Sequence, residues 1–149
     1  MTFKSLDVSV QSGDVWDNDD TYAVEKLLTW SNPEVRGSYW LARDRNKGGD
    51  FILSLGQVVT VSNIFIVNTH NGRNRERGTK SFKISLARYW GTWMEVLTDE
   101  LPDPRNLDPV PPNKFYICPM PVKYVKFELL SYWGDKGGGL QYFTVNKDI

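Results

Sequence analysis

The chain has 149 residues and balanced charge, with 18 basic and 18 acidic side chains. That length suits one domain with a core of its own. The zero formal charge leaves no global field to draw the protein to nucleic acid or anionic lipid.

Aromatic residues make up 13 % of the chain, with six tryptophans, which favours β-structure and recognition surfaces over a helical bundle. Cys118 is the single cysteine, so no internal disulfide forms. No apolar run is long enough for a transmembrane helix, and the first ten residues lack the apolar stretch of a signal peptide. A reducing compartment, another export route and a leader already removed are all compatible with this.

In chain order, residues 3–10 alternate and predict a first strand. Residues 13–21 form an acidic loop with Asp14, Asp17, Asp19 and Asp20. Residues 23–29 predict a short helix, since Ala23, Val24, Leu27 and Leu28 share a face and Asp20 or Thr21 could cap it. Residues 31–49 read as a long loop carrying Tyr39 and Trp40. Strands follow at 50–55 and 58–68; the second is apolar on both faces and therefore central. Residues 80–87 alternate cleanly, 93–97 form a short strand, and 101–113 are too rich in proline for one. Residues 114–118 form another strand. In the closing pair, Val125, Phe127 and Leu129 oppose Lys126 and Glu128, the period of a half-buried strand. The loop 131–139 carries Tyr132, Trp133 and three successive glycines before the last strand. Many short strands between turn signals predict an all-β antiparallel sandwich or barrel.

Taken together, WLARDRNKGGDFILSLG, VSNIFIVNTHNGRNRERGTKSFKISLA, TWMEVL and VKYVKFELLSYWGDKGGGLQYFTV resemble the discoidin domain. It is also called the coagulation factor V/VIII type C domain, of the galactose-binding-like superfamily. The resemblance spans residues 20–147 and rests on Leu55-Gly56, the run Ser81-Phe82-Lys83-Ile84-Ser85, Trp93, and Tyr124-Val125-Lys126, in that order. It implies a single domain over residues 1–149, an eight-stranded jelly roll that binds ligands through loops at one end and is not an enzyme. The implied ligands are glycans; protein partners and anionic phospholipids are the alternatives, and the implied location is the cell surface or beyond. The two long loop tips carry charge without apolar apices, which ranks lipid below glycan. Oligomerisation is a common route to avidity for weak sugar sites.

The chain departs from the family in lacking its disulfide. Two acids that hold a structural calcium in many members are replaced around Thr29-Trp30 and Gln141-Tyr142. Any calcium would then rest on the acidic loop, near Asp17, Asp19 and Asn32, with oxygen ligands; no other cofactor is implied.

His70, the only histidine, opens the loop 70–79. Planar hydrogen-bonding groups and one aromatic face are what a sugar site requires, because hydroxyls need directed donors and a pyranose face needs a flat ring. His70, Asn71, Arg73, Arg75 and Arg77 supply the first; Tyr132 and Trp133 supply the second. The arginines suit acidic or sulfated sugars as readily as neutral ones. The competing readings are a solvated charged loop and aromatic rings that plug the core. Tyr39-Trp40 is expected in the core and Tyr89-Trp90 in local hairpin packing. Cys118 is expected to be a small buried hydrophobe. No nucleophile elbow appears, and one cysteine with one histidine cannot build the usual zinc site.

Overall fold

The computed structural model describes residues 8–30, 37–46 and 49–146, without the side chains of Arg73 and Asn146. Among the described residues seven strands run in the order β1 (Ser9–Gly13), β2 (Trp40–Leu41), β3 (Asp50–Asn68), β4 (Ser81–Ala87), β5 (Met94–Glu100), β6 (Pro112–Leu129) and β7 (Gly139–Asn146). All pairings are antiparallel, and the hydrogen-bonded path is β2-β7-β3-β6-β4-β5, with β1 on β3. Of the expected first strand, residues 3–7 lie outside the described residues; β1 starts later, at Ser9.

Two strands are far longer than the sequence predicts. The expected strands at 50–55 and 58–68 are one, β3, and those at 114–118 and 122–129 are one, β6. Their pairing is interrupted between Ser54 and Val59, and again between Val61 and Asn63. Gly56 there has a φ of 79°, a conformation that suits glycine alone and lets the chain bend without ending the strand.

The bend closes the sandwich. Phe51 pairs near the start of β3, while Phe143 on β7 lies opposite Ile66 near its end. In a flat sheet these rings would be tens of ångströms apart at about 3.3 Å per residue, yet their centroids are 5.4 Å apart. Phe82 and Phe115 meet likewise at 5.5 Å. One layer therefore holds β1, the first half of β3, the second half of β6, β4 and β5. The other holds β2, β7 and the remaining halves. Between them Trp40, Phe51, Phe82, Phe127 and Phe143 are fully buried. Burying each such ring stabilises the fold by about 1.5–3 kcal/mol.

The alternation expected in the closing strand holds: Val125, Phe127 and Leu129 are buried, and Lys126 and Glu128 pair on the outer face. The segment expected as an α-helix is a 3-10 turn, Val24–Leu28, with Val24 and Leu27 buried and no side-chain cap. The one side-chain cap nearby is Asp19, which accepts from Thr21 N and holds the turn Asp20–Tyr22. Cys118 is exposed rather than buried. Between Tyr116 and Met120 β6 has three residues where β3 has only Ser62, so Cys118 and Pro119 bulge outward.

The bend defines two ends. At the far end from it lie the end of β1, the β2–β3 loop, the long β3–β4 loop, the entry to β6 and the β6–β7 loop.

Candidate functional site

The β3–β4 and β6–β7 loops are joined by backbone. Gly78 N donates to Gly137 O (3.1 Å), Trp133 N donates to Gly78 O (2.8 Å), and Thr79 bridges Tyr132. One glycine makes this approach close: a Cβ on Gly134 would lie 2.2 Å from Glu76 O. Gly139 does the same against β2, where its Cβ would lie 2.5 Å from Trp40 O. The two loops expected to share one end of the barrel do so.

At that end an open groove of about 640 Å³ lies over a small apolar cluster separate from the main core. Its aromatic floor is Trp16, Tyr22 and Tyr39, beside Leu41. Trp16 meets Tyr22 edge-on at 5.5 Å, and Tyr22 meets Tyr39 at 5.7 Å. Tyr39 and Trp40 are neighbours in extended chain, so they point opposite ways. Trp40 enters the core, as expected, while Tyr39, also buried, faces the groove.

The polar rim comes from Asp44, Asn71, Asn74, Glu76, Arg77 and Lys136. Tyr39 Oη donates to Asn71 Oδ1 (2.8 Å), and Asn71 Nδ2 donates to Glu76 Oε1 (3.0 Å). Arg77 is 1 % exposed. Its Nη1 donates to Ala42 O (2.8 Å) and Gly138 O (3.0 Å), and its Nη2 is paired with Asp44. Its Nε is buried without a partner. Burial lowers the Arg77 pKa, against which the Asp44 and Glu76 carboxylates act. The four ionisable rim groups, Asp44, Glu76, Arg77 and Lys136, carry two charges of each sign.

The expected site residues separate. Asn71 and Arg77 line the groove, but as buried framing groups. His70 is buried and lies instead in a second cavity of about 10 Å³, beside Asp108 and Pro109, with its Nδ1 unpartnered. Arg75 is turned outward, donating to Arg105 O (2.8 Å) and to Asp108 (2.9 Å). The Arg73 side chain lies outside the description.

Tyr132 packs against the main core. Trp133 does not line the groove. Its indole N–H donates to Leu101 O (3.0 Å), and Lys80 Nζ sits 4.6 Å over its ring. A ring so engaged is held as a brace between loops rather than offered as a platform. Trp16, Tyr22 and Tyr39, which line the groove floor, are not among the expected site residues, Tyr39 being expected in the core. For Trp16 and Tyr22 the sequence signal is large rings inside or beside an otherwise acidic, polar stretch.

The residues expected near a calcium ion are described only in part. Asp17 is exposed, Asp19 is engaged as a cap, and Asn32 lies outside the described residues. Among the described residues no three His, Cys, Asp or Glu side chains converge. Asp14 is held by the Arg43 side chain (3.2 Å), Arg43 N (3.0 Å) and Asn46 Nδ2 (2.9 Å), so its oxygens are taken by donors.

No protein-family model matches the sequence, and no curated protein matches it significantly. Solved structures do match it in fold. A carbohydrate-binding module from Clostridium perfringens, CpGH89CBM32-5 in complex with GalNAc-β-1,3-galactose, has a TM-score of 0.71 at 8 % identity, covering 97 % of both chains. The family 32 carbohydrate-binding module of Streptococcus pneumoniae EndoD has a TM-score of 0.71 at 10 % identity, covering 96 % of this chain and 97 % of that one. A chitosan-binding module from a Paenibacillus chitosanase/glucanase has a TM-score of 0.70 at 15 % identity, covering 95 % of both. SpGH29 matches 97 % of this chain, which spans 27 % of its length, at 14 % identity and a TM-score of 0.72. The chain therefore has the jelly-roll fold of these modules.

Proposed function

We propose that the chain is a non-catalytic glycan-binding module whose ligand lies in the groove over Trp16, Tyr22 and Tyr39. The observation that carries this reading is the groove itself: aromatic rings under a rim of amides, carboxylates and cations, at the end where the loops gather. Rings accept the apolar face of a pyranose, and the rim supplies directed donors and acceptors for its hydroxyls. The fold shared with carbohydrate-binding modules, one of them holding a galactose-containing disaccharide, supports the same reading. Binding rather than catalysis is favoured because the groove's two carboxylates are engaged in its frame, Asp44 by Arg77 and Glu76 by Asn71. In this reading binding needs no metal ion, and the module works where glycans are presented, at or beyond the cell surface. Among the described residues no helix is long and apolar enough to cross a membrane.

The charge balance of the rim makes a neutral saccharide the best fit. Two features that pointed to acidic sugars are already satisfied internally, Arg75 by Asp108 and Arg77 by Asp44.

Glycan-array screening followed by titration tests the reading. Trp16 is only partly buried and sits outside the main core, so Trp16→Ala should keep the fold. It should weaken the selected neutral glycan by about 1–3 kcal/mol, the range for loss of a stacking aromatic. Unchanged affinity in a folded Trp16→Ala, Asn74→Ala double variant would place the ligand elsewhere.

A further inference from the structure

A second aromatic surface lies at the opposite end, where β3 and β6 bend. The β4–β5 hairpin, residues 88–93, projects there, since Ala87 pairs with Tyr124 beside the bend. Trp90 at its tip is 58 % exposed and Tyr89 is 64 % exposed, although Trp90 also makes the expected local packing, against Trp93. Gly91 has a φ of 86°, and a Cβ there would meet nothing within 4 Å. The tip stands clear of the rest of the molecule.

Trp90 is nevertheless held firmly. Trp93 meets it at 5.9 Å and 68°, and Tyr124 at 5.2 Å and 84°. Edge-to-face contacts fix the indole without covering it in a parallel stack. Cations lie over three neighbouring rings: Arg88 over Tyr89 (5.5 Å), Lys123 over Tyr124 (5.6 Å) and Lys126 over Trp93 (5.8 Å). No described cation lies over Trp90. Lys126 is paired with Glu128 (3.4 Å), but no described carboxylate pairs with Arg88 or Lys123. The three segments that meet here, residues 56–61, 87–94 and 118–127, contain no aspartate or glutamate. An exposed, braced indole whose neighbouring rings carry two cations without a described carboxylate partner has the chemistry for a flat ring bearing negative charge.

We infer that Trp90 is a second saccharide platform, distinct from the groove, for an acidic oligosaccharide whose carboxylate or sulfate groups are met by Arg88 and Lys123. The sugar ring stacks on the indole, and the anion replaces water around the two cations. The site goes beyond the proposed groove function and does not depend on it.

The test titrates the whole chain with tetragalacturonate and, separately, with a sulfated heparin tetrasaccharide, the two arms separating carboxylate from sulfate recognition. Trp90→Ala should weaken the bound probe roughly tenfold or more, as for other stacking aromatics. Arg88→Ala and Lys123→Ala should weaken it and flatten its salt dependence. Trp16→Ala should leave it unchanged, while weakening the neutral glycan of the groove. The surface cation variants carry the test if Trp90→Ala lowers the melting temperature. Failure of the wild type to bind either probe would overturn the inference, as would loss of binding in Trp16→Ala but not in Trp90→Ala. So would Trp90-dependent sedimentation with phosphatidylserine vesicles in place of oligosaccharide binding.

Discussion

At the scale of single residues, Arg77 shows how a side chain suited to ligand recognition is committed to the frame instead. Its guanidinium ties the carbonyls of Ala42 and Gly138 and the carboxylate of Asp44, groups from two loops that surround the groove besides its own. Removing it strands the Ala42 carbonyl and the Asp44 carboxylate, while Gly138 O keeps its bond from Ala42 N. Arg77→Ala should therefore lower unfolding stability by about 2–4 kcal/mol in urea denaturation, and glycan affinity should fall as a consequence. A variant of unchanged stability would refute the framing role.

Asp50 is the converse case, a carboxyl in an unfavourable place. Burial raises its pKa, Lys126 opposes this, and Glu128, its cross-strand partner, and Asp14 raise it further. A raised carboxyl contributes stability that is present below the ordinary aspartate range and lost as pH rises through the raised value. Asp50→Asn should thus be more stable than the wild type at neutral pH, with the gain vanishing in acid. Thermal melts across pH would show this, and an equal gain at both extremes would exclude it.

At the scale of elements, the alternation of Val125, Phe127 and Leu129 was legible because strand period is a local property. The continuity of β3 and β6 was not. The expected strands end at Leu55 and Cys118, just before Gly56 and Pro119, yet the glycine makes a bend and Pro119 falls in a bulge where no ladder hydrogen bond is required. Joint placement of the 70–79 and 131–139 loops was legible from chain order and resemblance. The groove floor was not, because Trp16, Tyr22 and Tyr39 are brought together only by tertiary packing of two separate segments. The reason for glycine at 134 likewise lies in another loop. Gly134 has a φ of 79° and its missing Cβ faces a backbone oxygen, Glu76 O. Gly134→Ala should cost at least about 1–2 kcal/mol from the left-handed backbone alone. It should also weaken the neutral glycan, because Glu76 lines the groove. A stable, fully binding variant would show that the loop junction does not set the groove.

At the scale of the molecule, identities of 8–15 % to the solved structures described coexist with TM-scores of 0.70–0.72. The fold thus survives through a pattern of burial and bends rather than through particular residues, while ligand chemistry rests on side chains free to differ. In this chain the ends differ in charge. The groove rim balances two positive groups with two negative ones, whereas the bend end carries cations beside exposed rings with no described carboxylate partner. The Debye length falls from about 10 Å at 0.1 M salt to about 3 Å at 1 M, so salt removes a net attraction between charges and leaves stacking and neutral hydrogen bonds largely intact. Calorimetric titration of the neutral glycan across that range should therefore give nearly constant affinity in the wild type. Lys136→Ala leaves the rim with net negative charge, and a neutral ligand should still bind with the same flat salt profile. A steep loss of affinity with salt in the wild type would mean that the groove recognises charge, and the neutral-saccharide assignment would then fail.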